Sequence, residues 1–358
     1  MEIKDNQLKY PHPVFNDFLK TNELVNFIIK HINPDSHVFI ICDSNTDIKC
    51  FPLINKMLKN LFLFNKIVFP EGEKSKNLDT CRDIWNYLSK KNAKKDTLII
   101  NLGGGVVSDI GGFCASLYMR GVSFINIPTS LMGMVDASIG GKTGIDSNLL
   151  KNNIGNFSFP LAVFIDSEFL KTLPGREYNS GFIEMLKHGL ISDAYYFYDL
   201  VRGKYESNMS AAIEKSVKLK MKVISEDPYE KGKRKTLNFG HTTGHAIESS
   251  FLKYSGKTLL HGEAVLLGMI AESYISKQKG ILSPEDFNEI SYFLTPLKPK
   301  INIQKDDIED IMSFLLHDKK HTTKQLNFTL LEKPGSALIN QNVELKLIRQ
   351  SLQHIAEL

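Results

Sequence analysis

Three histidines fall within one stretch, TLNFGHTTGHAIESSFLKYSGKTLLHGEAV, at His241, His245 and His261. His241 and His245 sit four apart, which on a helix places both imidazoles on one face. Paired imidazoles of this kind commonly hold a metal, yet the glutamate of a protease-type HExxH is missing here. Each of the three stands beside a glycine, a more specific signal than a lone histidine. Upstream, NSGFIEMLKHGLI supplies Glu184, Lys187 and His188 among Phe182, Ile183, Met185 and Leu186. A carboxylate ringed by apolar side chains needs a partner. An i,i+3 salt bridge to Lys187 would provide one, and so would a metal ion. A catalytic zinc site takes three protein ligands from His and Asp/Glu and keeps one position open. Two of the histidines plus Glu184 would make such a set, and spacing does not decide which histidine is left over.

A second set of residues points to a dinucleotide. LIINLGGGVVSDIGGF is a strand running through Gly103, Gly104 and Gly105 into a helix. Glycine lets the backbone turn tightly and approach a pyrophosphate, which the free N–H groups of the helix start stabilise. Ser108 stands where the third glycine of GxGxxG would be, so the motif alone is weak. It gains weight from FIICDSN, where Asp43 ends an earlier strand and could accept hydrogen bonds from a ribose. The glycine-rich stretch 118–155 then sets Arg120, Asp136, Lys142, Lys151 and Asn152 among small residues. Loops so rich in glycine do not stabilise a fold, so these charges read as placed for a ligand.

The elements that must position these groups follow from periodicity. HVFIICDS, KIVFPEGE, TLIINLGGG, SFINIP and AVFID are apolar, β-rich runs that alternate with helical stretches such as NLDTCRDIWNYLSKKN, which predicts a parallel sheet with helices on both faces. After about residue 175 apolar spacings of three and four dominate, with one late hairpin expected around QLNFTLLEKPGSALI, turning at Pro334 and Gly335. The expected architecture is therefore α/β: a Rossmann-like parallel-sheet domain over 1–174 and a mostly helical domain over 175–358. The site is expected in the cleft between them.

Composition sets the outer bounds. The 358 residues are 42% hydrophobic and 23% charged, with a net charge of +4, an ordinary globular balance long enough for two domains. The lysines are scattered rather than blocked, which favours an anionic small substrate over nucleic acid. Cys42, Cys50, Cys81 and Cys114 form no CxxC pair, and Cys42 and Cys114 read as core, as expected in a reducing compartment. MEIKDNQLKY lacks a signal-peptide pattern and no apolar run reaches membrane-spanning length. The expectation is a cytoplasmic protein with no membrane contact.

With these residues in place, the chain resembles the 3-dehydroquinate synthase family of sugar-phosphate cyclases. The likeness runs from CDSN to LHDKK through PEGEKSK, GGGVVSD, YMRG, IPTSLMGMVDASIGGKTG, KNNIG, TLPGRE, GFIEMLKHG, KRKTLNFGHTTGH and HGEAV. The resemblance implies a Zn2+ or Co2+ ion on Glu184, His241 and His261. His245 is then a non-ligand group tied to proton movement or phosphate contact. It implies NAD+ held by Asp43, Asn45, Glu73, Lys76, Gly104, Gly105, Val106, Asp109, Thr129, Ser130, Lys142, Lys151, Phe169, Thr172, Leu173 and Glu177. Substrate and catalytic groups would be Asp136, Lys142, Asn152, Lys187, Lys220, Glu230, Arg234, Asn238, His245 and a lysine of DKK, Lys320 in preference to Lys319. Arg120 would reach a neighbouring subunit's site, which implies a homodimer.

Departures from the family pattern are small. Ser130 replaces a threonine and keeps its hydroxyl, LKNNIGNFSFP stands for GKNLIGAFHQP, and PYEKGKR for EREGGLR with Glu230 and Arg234 in register. The implied reaction converts 3-deoxy-D-arabino-heptulosonate 7-phosphate to 3-dehydroquinate and phosphate. It proceeds by transient oxidation with NAD+, phosphate elimination, re-reduction and an intramolecular aldol step. A metal-dependent polyol dehydrogenase would instead accumulate NADH and needs fewer anion-binding side chains. Inosose and valiolone synthases act on other sugar phosphates, whereas Arg234, Asn238 and the DKK lysine suit a carboxylated substrate. A dinucleotide-sensing binding protein would not need the full ligand and lysine set.

Overall fold

The computed structural model describes residues 12–33, 36–147, 150–252, 259–301, 303–317 and 325–358. The chain divides into two compact units: Met1–Gly181 with Met209–Val217, and Phe182–Asn208 with Lys218–Leu358.

The first unit carries strands β1 (Val14–Asn16), β2 (Val38–Asp43), β3 (Phe64–Phe69), β4 (Leu98–Gly103), β5 (Ser123–Pro128), β6 (Lys142–Ser147), β7 (Leu150–Phe157) and β8 (Val163–Ile165). Its helices are α1 (Glu23–His31), α2 (Ser44–Lys49), α3 (Phe51–Leu58), α4 (Leu78–Lys90) and α5 (Gly105–Leu117). Six strands form one parallel sheet in the order β1-β8-β5-β4-β2-β3, as strand–helix alternation requires. All six residues of β4 are buried, which is why LIINLG is continuously apolar rather than alternating. Phe39 and Ile41 of the sheet pack with Ile84 and Leu88 of α4 and with Ile110 and Phe113 of α5. Each such burial contributes about 1.5–3 kcal/mol. Burial also pushes the Cys42 thiol up to about 12. All four cysteines are free and buried, consistent with a core reading for Cys42 and Cys114.

The glycine-rich stretch departs from its expected loop character. β6 and β7 form an antiparallel hairpin in which Gly144 lies opposite Gly155. A Cβ on Gly155 would stand 2.3 Å from the Thr143 carbonyl oxygen, and one on Gly144 would stand 2.7 Å from that of Ile154. These glycines therefore serve close strand packing, and their missing side chains hide the two-residue alternation from which a strand is read.

The second unit continues with α6 (Gly175–Ser192), α7 (Ala194–Val201), α8 (Met209–Glu226), α9 (His241–Leu252), α10 (His261–Gln278), α11 (Pro284–Leu294), α12 (Lys305–His317) and α13 (Leu345–Glu357). The division between units passes within α6 and within α8. The hairpin expected at Pro334–Gly335 is present as β9 (Gln325–Lys333) and β10 (Ser336–Glu344). Helix α10 is buried almost all round, the burial of a central core helix. It runs antiparallel to α9, because Gly240 meets Gly268, Gly244 meets Ala264 and Glu248 meets His261.

Candidate active site

In the first unit the sheet opens at one seam. β2 pairs with β3 as far as Asp43↔Phe69, and β4 pairs with β5 as far as Gly103↔Pro128. Between β2 and β4 pairing stops at Ile41↔Asn101, so the strands part before Asp43 and Gly103. The chain leaves β2 towards β3 and leaves β4 towards β5, on opposite sides. The seam is thus the topological switch point, where open α/β sheets take ligands beyond the carboxyl ends of their strands.

Gly104 and Gly105 start α5 at this seam. A Cβ on Gly104 would lie 3.1 Å from Ser130 Oγ, and one on Gly105 would lie 3.1 Å from the Cβ of Ala137. The turn is a cradle that side chains would fill, with the first N–H groups of α5 open to an anion. The Thr129 N–H donates to the Gly103 carbonyl at 3.0 Å and ties the end of β5 to this turn. Ser108 is buried, and the close contact expected of a third glycine falls at Gly111. A Cβ there would stand 1.9 Å from Asn101 Oδ1. Asp43 has a structural task as well: its Oδ1 accepts from the Thr46 N–H at 2.8 Å and the Thr46 hydroxyl at 3.0 Å, capping α2. Asn45 is exposed on the same helix.

Lys76 is the hub of a second cluster in this unit. Its Nζ, on a side chain only 4% exposed, donates to Asp109 Oδ2 at 2.6 Å and to the Asn152 side-chain carbonyl, with Glu73 Oε1 at 4.0 Å. Lys151 Nζ lies 3.2 Å from the same Glu73 oxygen. Burial alone would lower the Lys76 pKa, but the Asp109 and Glu73 charges outweigh it and hold the ammonium protonated. Asp146 Oδ1 accepts the Asn152 N–H at 2.8 Å, and so steadies a residue in the left-handed region at φ +55°. Burial raises the Asp146 carboxyl to about 6, against the lowering effect of that hydrogen bond. Three of the sequence-predicted residues, Glu73, Asp109 and Asn152, thus surround the ammonium of a fourth, Lys76, and Lys151 joins them through Glu73.

The remaining predicted residues of this unit are more dispersed. Asp136 lies in the π-turn Gly133–Ala137 and exposed Lys142 opens β6. Val106 is half-buried, Phe169 is buried, Leu173 is half-buried and Glu177 is exposed. Thr129 and Thr172 both bond the Cys50 thiol, which burial nevertheless pushes up to about 11. Arg120 follows α5 on an exposed turn, about 20 Å of helix away from Gly104 at about 1.5 Å per residue. Met119, Arg120 and Gly121 all have positive φ, and Lys95 Nζ donates to their three carbonyls. The chain therefore does not bring Arg120 to its own glycine turn.

In the second unit, Glu184 is fully buried on α6 and pairs with Lys187, itself 1% exposed. Glu184 Oε1 lies 3.7 Å from His241 Nε2 and 3.9 Å from His261 Nε2. His241 and His261 are the first residues of α9 and α10, so close packing of these two helices sets their spacing. His241 Nδ1 lies 3.2 Å from the Phe239 carbonyl oxygen, and His261 Nδ1 lies 3.2 Å from Glu248 Oε2. A ring that donates from Nδ1 keeps its Nε2 lone pair for a metal, the arrangement usual for metal-bound imidazoles. His245 is exposed, with its ring centroid 5.2 Å from His241 and 5.5 Å from His261. Ligand atoms of all three histidines lie within 4.8 Å of one another. The nitrogen and oxygen donors fit zinc or a similar divalent ion.

In the same unit, Arg234 and Lys220 are buried and Asn238 and Glu230 partly exposed. The Asn238 amide donates to Glu230 Oε1 at 2.8 Å, although Glu230 sits at φ +58°. Asp227 accepts backbone N–H bonds from Lys231, Gly232 and Arg234 at 3.0, 2.7 and 3.0 Å. Desolvation works against it, but these bonds and the Arg234 charge hold its carboxyl below the usual range. Lys319 and Lys320 lie outside the described residues.

Sequence reasoning missed Asp146, Asp227, Glu248 and Glu272. The signal for two of them was available: Glu248 in GHAIESSF and Glu272 in GMIAESYIS are carboxylates within apolar helical runs, as Glu184 is.

Comparison with known proteins agrees with this architecture. The fold is that of the sugar-phosphate cyclases: 2-epi-5-epi-valiolone synthase from Streptomyces hygroscopicus subsp. jinggangensis, solved with NAD+ and Zn2+ bound, matches with a TM-score of 0.82 at 23% identity over 98% of both chains. A 2-deoxy-scyllo-inosose synthase complexed with carbaglucose-6-phosphate, NAD+ and Co2+ matches with a TM-score of 0.80 at 24% identity over 96% of both. The family described as 3-dehydroquinate synthase N-terminal matches residues 66–180, and that described as 3-dehydroquinate synthase C-terminal matches residues 181–321. The 3-dehydroquinate synthase of Parabacteroides distasonis is 40% identical over 329 residues, 89% of this chain and 91% of that protein. The chain belongs to the 3-dehydroquinate synthase family, and its enzymatic function is that of the family. No helix among the described residues is long and apolar enough to cross a membrane.

Proposed function

We propose that this 3-dehydroquinate synthase activity runs on a divalent zinc or cobalt ion held by Glu184, His241 and His261, together with NAD+ held by the first unit. The observation that carries the reading is the approach of two Nε2 atoms to one buried Glu184 oxygen, each ring anchored through its other nitrogen. Residues 1–174 are proposed as the dinucleotide-binding part and 175–358 as the metal- and substrate-binding part. When bound, NAD+ would accept and return a hydride, and the metal would act as a Lewis acid on substrate oxygens.

The side chains would do the rest by position and charge. Lys187, buried against Glu184, would hold a proton beside the metal ligands. His245, exposed beside them, would move one without binding the metal. Arg234, Lys220 and Asn238 would hold the carboxylate or phosphate of the heptulosonate phosphate, since guanidinium and ammonium groups clamp such anions. Lys151 and Asn152, fixed by Glu73, Lys76 and Asp146, together with Lys142, Asp136 and the DKK lysine, complete the proposed polar set. The exposed, pinned turn carrying Arg120 supports a homodimer in which it serves the partner. Four free buried thiols suit a cytoplasmic setting.

The test is a substrate comparison on zinc-loaded protein. The heptulosonate phosphate should turn over at least about tenfold faster, by kcat/KM, than sugar phosphates lacking its carboxylate. An Arg234→Ala variant should narrow that gap. Equal turnover of the two kinds of substrate by the unaltered enzyme would reject the proposed carboxylate site.

A further inference from the structure

Glu272 has no place in the metal ligand set or the anion-binding set, yet it is fully buried in the core of α10. Burying a carboxylate is costly unless its oxygens are satisfied. Both are: Oε2 accepts the Gly240 N–H at 2.6 Å, and Oε1 accepts the Thr243 N–H at 3.0 Å. Gly240 immediately precedes α9 and Thr243 is its third residue. These two N–H groups are the ones that a capping box satisfies from within a helix, the third from the capping side chain and the cap's own from a glutamate at the third position.

Helix α9 cannot make that box itself. Gly240 has no side chain, and its surroundings exclude one: φ is +80°, and a Cβ would stand 2.5 Å from Met269 Cγ. Thr243 is not a glutamate. One carboxylate from the neighbouring helix takes both bonds instead. The same helix admits the Gly240 carbonyl against Gly268, where a Cβ would come within 1.9 Å of that oxygen. Position, rotation and cap of the first turn of α9 are therefore all set by α10.

We infer that Glu272 is a positioning residue for His241: it caps α9 from α10 and so fixes the distance between His241 on one helix and His261 on the other. The negative charge also offsets the positive end of the α9 dipole beside the place where a cation would sit. This inference rests on the proposed ligand set Glu184, His241 and His261. A Glu272→Gln variant would present one carbonyl oxygen and one NH2 group to two N–H donors, so one of the two bonds is lost.

The experiment measures Co2+ and Zn2+ affinity of metal-stripped full-length protein by competition with a chromophoric chelator, and records the visible spectrum of the Co2+ form. Glu272→Gln should bind either ion about 10–100-fold more weakly, with an altered Co2+ spectrum. NAD+ affinity and far-ultraviolet dichroism should stay as in the unaltered protein. Glu272→Asp, which keeps the charge, should fall between. A folded Glu272→Gln protein with unchanged metal affinity and Co2+ spectrum would overturn the inference. Should that variant fail to fold, amide exchange in the unaltered metal-free protein decides: Gly240 and Thr243 should exchange as slowly as mid-helix amides, and solvent-like exchange would overturn it. A His241→Ala control separates the two levels. If that variant keeps full metal affinity, the ligand set is wrong. If it loses metal while Glu272→Gln does not, only the role of Glu272 is wrong.

Discussion

Nδ1 of His261 lies 3.2 Å from Oε2 of Glu248, a carboxylate only 2% exposed. The pair spans the antiparallel packing of α9 and α10, so a residue of the helix begun by His241 orients the histidine that begins its neighbour. An N–H held by a carboxylate fixes the tautomer and raises the basicity of the other nitrogen. Glu248→Ala should weaken metal binding by about 10–100-fold, and Glu248→Gln, which keeps an acceptor, by less. Chelator competition checks the order; equal affinity in both variants and the unaltered protein would remove Glu248 from the site.

The three histidines should separate by element. His241→Ala and His261→Ala should lose bound metal, since each deletes a nitrogen near Glu184 Oε1. His245→Ala should retain metal and lose rate, by about 100-fold or more if it moves a proton. Metal content by elemental analysis beside kcat distinguishes them; similar metal loss in all three would make His245 a ligand.

Gly104→Ala places a methyl group 3.1 Å from Ser130 Oγ within the cradle at the start of α5. NAD+ affinity should fall by about tenfold or more, as close backbone approach to the pyrophosphate is lost. Metal content should not change. Calorimetric titration with NAD+ reads this, and wild-type affinity would place the dinucleotide elsewhere.

Asp146 gives a pH signature. Its folded-state value of about 6 lies above the unfolded value of about 3.9, so the folded protein keeps the proton longer. The stability this contributes is present below about pH 4 and is lost as pH rises through about 6. Asp146→Asn keeps an acceptor for the Asn152 N–H and removes the titration. Its melting temperature relative to the unaltered protein should therefore rise between pH 4 and pH 7, by the equivalent of about 1 kcal/mol once partial exposure is discounted. A pH-independent difference would show that Asp146 is not perturbed.

The strands of the large sheet were legible because fully buried parallel strands are written as continuous apolar runs, as in LIINLG and VFIICD. The helices of the second unit were legible from their spacing, and the hairpin at Pro334–Gly335 from its turn residues. The β6–β7 hairpin was not, because Gly144 and Gly155 serve a backbone approach that leaves no side-chain pattern. Candidate site residues with charge in glycine-rich frames stood out, but several of the carboxylates that hold their surroundings in place did not. Asp227 and Asp146 act through backbone N–H groups whose position depends on the fold, and Glu272 caps a helix other than its own. Nor could four-apart spacing decide which histidine is left over; what three dimensions add is that Nδ1 of His241 lies against the Phe239 carbonyl and Nδ1 of His261 against Glu248.

The decisive measurement supplies zinc-loaded protein with 3-deoxy-D-arabino-heptulosonate 7-phosphate and NAD+, and follows phosphate and NADH together. Phosphate should be released over many turnovers without lasting NADH, and a chelator should abolish the release. NADH accumulating in step with substrate consumed, or no phosphate release at all, would contradict the proposed chemistry.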